Sequence, residues 1–198
     1  HLSNKGTASV VMANGAMTSN NKGEKNVREF MVNNSMIDCI VRLPDKLFLT
    51  TGIPACIFIL SKNRDGKDGQ HRKRTDEILF IDTSKMGTME SRKLRVFTDA
   101  DIDKVAQTYH AWRNKPDSHA ELVEAYSNVD GYCYAASIEE VQKQDYKLTP
   151  GIYVGTEEVE DDGILFEDKM ASLQATLQEQ FAKGNELQKK ILENFEKL

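Results

Sequence analysis

Residues Met36–Ser61 read MIDCIVRLPDKLFLTTGIPACIFILS. Two apolar runs, Met36–Leu43 and Ile53–Ser61, flank a turn that Pro44 opens and Thr51-Gly52 closes. Proline stops a central strand because it has no N–H for the ladder, and glycine gives a turn its freedom. The second run is apolar at nearly every position, which predicts a strand buried on both faces under helices.

Upstream, Thr7–Ala13 (TASVVMA) is a short β-branched run closed by Asn14-Gly15, and it predicts a buried strand ending in a turn. Lys22–Asn34 follows, with Val27, Phe30 and Met31 at helical spacing as the expected apolar face. Downstream, residues 63–76 (NRDGKDGQHRKRTD) contain no apolar side chain and two glycines, which predicts an exposed loop. Glu77–Asp82 (EILFID) is a fourth strand candidate. Thr98–Asn114 places Ile102, Val105, Tyr109 and Trp112 on one helical face, with Thr98 as N-cap and Asp101 three residues on. Ser137 and Glu140 form a capping box for a helix over Ser137–Lys143. Strand, helix, then returning strands describe the closing half of an α/β sheet.

The chain has 198 residues, 39% of them hydrophobic, enough for one core and an appendage. Its net charge of −5 argues against a free-standing electrostatic DNA binder, since phosphate contacts need a basic surface. Cys39, Cys56 and Cys133 are odd in number, far apart and partly set in apolar runs, which fits reduced core thiols in a cytoplasmic protein. There is no run of the length a membrane-spanning helix needs and no signal segment. The opening His1-Leu2 in place of Met reads as a piece of a longer polypeptide. From Phe166 to Leu198 an apolar stripe of Met170, Leu173, Leu177, Phe181, Leu187, Ile191 and Phe195 predicts a long helix with one packing face. Gln180 and Asn194 interrupt a strict coiled-coil seam.

Three stretches together resemble the modification subunit of type I restriction-modification systems, a family of adenine DNA methyltransferases. They are SVVMANGAMTSN (Ser9–Asn20) with the helix that follows, LPDKLFLTTGIPACIFILSKN (Leu43–Asn63) leading to ILFIDTS, and DYKLTPGIYVG (Asp145–Gly155) before the terminal helix. The resemblance implies the C-terminal portion of a Rossmann-like methyltransferase sheet, a small α/β extension and a long C-terminal helix. It divides the chain into trailing methyltransferase elements (1–97), a helical extension (98–163) and an assembly helix (164–198). It also implies methyl transfer from S-adenosylmethionine to adenine N6 in double-stranded DNA, with specificity and restriction subunits as partners.

The family's chemistry rests on a glycine-rich turn that cradles the cofactor and an Asn-Pro-Pro-aromatic loop that holds the flipped base. No two of the 12 glycines stand two positions apart, and the four prolines are never adjacent. The isolated chain is therefore expected to lack bound cofactor and activity, with no catalytic, cofactor or metal residue of its own. By the resemblance, Phe48, Thr51, Gly52 and Asn14 are candidates for the wall of the base pocket. The alternative is that Phe48 packs as core and the others make plain turns.

Lys62, Arg64, Arg72, Lys73 and Arg74 are candidates for contact with the DNA backbone, or else decorate a solvated loop. The histidines and cysteines show no metal-ligand spacing, and the acidic run 157–162 reads as a solvated linker. The terminal stripe is a partner face, or packs within the chain. Set against the methyltransferase reading is a non-catalytic protein-interaction module, in which sheet and helix only scaffold a partner.

Overall fold

The computed structural model describes residues 2–115, 126–156 and 166–195. A five-stranded sheet runs in the order β1-β3-β2-β4-β7, built from β1 (Thr7–Ala13), β2 (Ile37–Arg42), β3 (Ala55–Ser61), β4 (Glu77–Asp82) and β7 (Cys133–Ser137). A short hairpin, β5 (Thr88–Met89) and β6 (Arg95–Val96), stands apart from it. Strand β3 is antiparallel to both β1 and β2, so those two point the same way, and β4 is parallel to β2. The carboxyl ends of β1, β2 and β4 therefore share one edge of the sheet.

Helices cover both faces. Ile37, Ile40, Phe58, Ile78 and Phe80 pack with Val32 of α1 (Lys22–Asn33) and Val141 of α3 (Ile138–Lys143). Cys39, Val41, Leu79 and Ile81 pack with Tyr109 and Trp112 of α2 (Asp99–Arg113). Ile37 and Cys39 would share a face in a regular strand. They fall in different clusters because the β2–β3 register shifts between them, and the extra residue, Asp38, reverses the alternation.

Three expectations change. β1 forms as predicted but is not buried: Val10, Val11 and Met12 are exposed, and among the described residues the strand pairs only with β3. A strand's apolar pattern records what it is built to bury, and among the described residues nothing covers it. Helix α1 buries Arg28 and Val32 and leaves Val27 and Phe30 in solvent. The Arg28 guanidinium donates to the carbonyls of Ser19 (2.6 Å), Tyr146 (3.3 Å) and Ala16 (3.4 Å). An apolar side chain there would orphan those carbonyls. Ile102 of α2 is likewise exposed, while Tyr109 and Trp112 are buried.

Residues 1–157 form one compact unit, because β7 joins the sheet beside β4 and α2 seals one of its faces. Both capping boxes form: Asp101 N donates to Thr98 Oγ1 (3.2 Å) and Glu140 N to Ser137 Oγ (3.2 Å), each reciprocated by the acid. The second unit, 158–198, contains α4 (Phe166–Phe195). Taken by itself, one 30-residue helix has nothing to bury an apolar stripe against, and Leu173, Leu177, Phe181, Leu187, Ile191 and Phe195 are exposed along it. The acidic run 157–162 and Leu198 lie outside the described residues.

Candidate functional site

Asn14 opens a 3-10 turn (Asn14–Met17) directly after β1, at the edge where β2 and β4 also end. Its Oδ1 is buried and accepts no hydrogen bond among the described residues. A buried carbonyl oxygen without a donor costs about 1–3 kcal/mol. Ala13 pairs with Ala55, and Asn14 therefore lies on the same edge as the turn that precedes β3.

That turn carries the other three base-pocket candidates. Thr51 N donates to Phe48 O (3.2 Å) and Ile53 N to Thr51 Oγ1 (3.1 Å), which closes the loop tightly around Gly52. Phe48 is 37% exposed, Leu49 84% and Ile53 66%. Phe48 belongs to neither core cluster, whereas its neighbour Leu47 packs against the second. The structure brings Asn14, Phe48, Thr51 and Gly52 to one edge of the sheet.

Arg42 and Asp82 end β2 and β4 on the same edge, with Nη1 3.1 Å from Oδ2. Gly151 lies against this pair: a Cβ there would sit 3.4 Å from Asp82 Oδ2 and 3.6 Å from Arg42 Nη1. The sequence reading missed the pair, although a charged residue at the end of each of two adjacent strands is a usable signal.

The backbone-contact candidates divide. Arg64 and Arg74 are buried, not exposed, and this corrects their assignment to phosphate contact. Arg64 Nε lies 3.0 Å and Arg74 Nε 3.1 Å from the same oxygen, Oδ1 of Asp38, while Tyr109 Oη donates to Oδ2 at 2.6 Å. A carboxylate within a buried strand requires such partners. Burial, then the nearby Arg74, lowers the Arg64 pKa, with Asp38 opposing them. Burial chiefly raises that of Tyr109.

Arg72 lies over the Trp112 ring at 4.8 Å and pairs with Glu77. Lys62 Nζ donates to Leu2 O at 2.7 Å and Lys73 pairs with Asp76 at 2.7 Å, both at the surface. The loop 63–76 is therefore folded over the sheet by its arginines. Asp38, its anchor, was legible as the one carboxylate inside an apolar strand run.

Cys39, Cys56 and Cys133 are buried free thiols, and burial raises the pKa of each, that of Cys56 to about 11. None is an activated nucleophile. Among the described residues no three His, Cys, Asp or Glu side chains gather as a metal site, and no helix is long and apolar enough to cross a membrane.

Residues 1–162 match the N-6 DNA methylase family. The chain is 42% identical over 98% of its length to the HindI methylase subunit, a type I restriction enzyme component of Haemophilus influenzae, and spans 40% of that protein. It is 31% identical to the MjaIX methylase subunit of Methanocaldococcus jannaschii, again over 98% of its length and 32% of the relative's. The methyltransferase subunit of a type I restriction-modification system from Streptococcus thermophilus superimposes with a TM-score of 0.63 at 27% identity, covering 79% of this chain and 28% of that one. The EcoKI M protein shares the fold, with a TM-score of 0.53 at 16% identity over 92% of this chain and 41% of its own.

Proposed function

The chain belongs to the N-6 DNA methylase family, and from that premise we propose that it acts as part of the modification subunit of a type I restriction-modification enzyme. The reaction is methylation of adenine N6 in double-stranded DNA from S-adenosylmethionine. The observation that carries this reading is the 42% identity to the HindI methylase subunit along 98% of the chain. Its sheet is of the Rossmann-like methyltransferase type, and in such sheets ligands bind at the carboxyl ends of the strands. Asn14 and the turn carrying Phe48 lie on that edge.

The chain spans well under half the length of these two relatives. The residues present do not fit the cofactor by themselves. They offer no glycine pair two positions apart, and the charged groups that end β2 and β4, Arg42 and Asp82, are paired with each other at 3.1 Å. No step of methyl transfer is assigned to them. What they supply is one wall of the base site: Phe48 as a stacking surface, Thr51-Gly52 as the turn that presents it, and the Asn14 oxygen as an acceptor for an amino group. The chain alone is inactive in this reading.

The specificity and restriction subunits are its partners, through the stripe of α4, and its compartment is the cytoplasm. The test mixes this chain with the remaining part of the HindI methylase subunit and a specificity subunit, then follows methyl transfer from labelled S-adenosylmethionine to duplex DNA. Transfer should require the mixture. Transfer by this chain alone would contradict its assignment as a non-catalytic portion, and no association in the mixture would contradict the assembly role.

A further inference from the structure

A polar cavity of about 300 Å³ opens at the other end of the sheet, lined by Lys5, Thr7, Asn63, Gln70, His71 and Arg113 among others. Thr7 pairs with Ser61 at the start of β1, six positions from the Ala13–Ala55 pair beside Asn14, or about 20 Å at the strand rise. The cavity is thus separate from the candidate base site. Its wall is pinned to the end of α2, where Arg72 N donates to Arg113 O (3.1 Å), Lys115 N donates to Gln70 O (3.0 Å), and His71 and Asn114 form a bridge.

The single carboxylate lining the cavity is sealed. Asp68 accepts from Asn63 Nδ2 (2.6 Å), Gln70 N (3.0 Å), His71 N (2.9 Å) and the His71 ring at Nδ1. Those bonds, the His71 ring foremost, hold its carboxyl far below the ordinary range. With Nδ1 donating to Asp68, the other ring nitrogen, Nε2, accepts from the Arg113 guanidinium, which can only donate. Both nitrogens of His71 are therefore occupied.

What remains is a surplus of donors. Among the described residues the side chains of Lys5, Thr7 and Gln70 make no hydrogen bond, and Arg113 has N–H groups beyond the one given to His71. Two cations, Lys5 at the surface and Arg113 held by His71, line the cavity beside one carboxylate whose oxygens are already taken. No metal-binding group of three His, Cys, Asp or Glu side chains exists among the described residues, so a metal cation has no ligand set here. The complement of many N–H donors and two cations is a compact anion rich in acceptor oxygens.

We propose that this cavity binds a phosphate group through Lys5, Gln70 and Arg113. The phosphate comes from a small phosphorylated molecule or from a nucleic-acid backbone, and two probes separate these sources. The first is inorganic phosphate, titrated into the 198-residue chain while backbone amide resonances of Gln70, His71 and Arg113 are followed. Saturable shifts confined to the cavity are expected. Lys5→Ala removes an exposed cation that holds nothing else in place, and should weaken binding about tenfold, as loss of a charge-assisted bond does. Arg113→Gln should weaken it by at least as much.

The second probe is a short duplex DNA. If it shifts the same amides and phosphate displaces it, the source is a DNA backbone; if only phosphate does so, it is a small molecule. Shifts that never saturate, that spread over the whole surface, or that survive both substitutions unchanged overturn the proposal. The methylase reading is tested separately, by methyl transfer, and neither result decides the other.

Discussion

Arg74 and Asp38 meet inside the protein with Nε 3.1 Å from Oδ1, and neither side chain exposes more than 1% of its surface. Arg64 and Tyr109 close on the same carboxylate. Asp38→Asn keeps the shape and removes the charge that two buried guanidinium groups share. It should destabilise the chain by about 3–5 kcal/mol in urea unfolding, the cost of an uncompensated buried ion. Lys73→Ala, at the surface of the same loop, should stay within about 0.5 kcal/mol. Equal effects from the two substitutions would mean that the buried cluster does not hold the loop.

Thr98→Ala and Ser137→Ala each remove one half of a capping box. Each should cost about 1 kcal/mol, and Thr98→Asp should recover most of its loss because an aspartate at the N-cap also accepts from the first turn. Thermal unfolding of the three variants measures this. A neutral Thr98→Ala would show that α2 is held by Tyr109 and Trp112 alone.

Burial holds the Cys56 thiol at about 11, against 9.0 when free. Between those values the unfolded chain has released the proton that the folded chain keeps. The stabilisation is complete below pH 9 and is lost as the pH rises towards about 11. Urea midpoints at pH 8, 9.5 and 11 should fall in that order, and Cys56→Ala should make the decline shallower while Cys39 and Cys133 maintain the remainder. A thiol reagent at pH 8 should leave all three cysteines unmodified until the chain unfolds.

Phe48→Ala bears on the proposed base site. Because the residue is 37% exposed, loss of its ring should cost the fold only about 1–2 kcal/mol. In the reconstituted enzyme it should lower methylation by about ten- to a hundredfold, as loss of a stacking surface does. Activity at the unsubstituted level would remove Phe48 from the site.

The strands β2, β3 and β4 were legible because central strands are continuous apolar runs, and α2 and α3 because capping boxes mark their starts. Strand β7 was not: Cys133–Ser137 reads CYAAS, with two alanines and no β-branched residue, and only the partner strand β4 makes it extended. Nothing in the composition of loop 63–76 separates Arg64 and Arg74, which turn inward, from Lys73, which does not. That separation depends on Asp38, whose place in an apolar strand was the available clue. Asn14 and the turn at Phe48 were legible as loops at strand ends, and the register of β1 on β3 brings them to one edge.

Among the described residues strand β1 (seven residues) pairs only with β3, and Val10, Val11 and Met12 lie exposed along it. Such an edge is a template for any extended chain that reaches it, including the same strand of another molecule. An apolar edge of this kind favours self-association of the polypeptide as its concentration rises. Its solubility should fall with concentration and recover when a charged residue replaces Val11 on that edge.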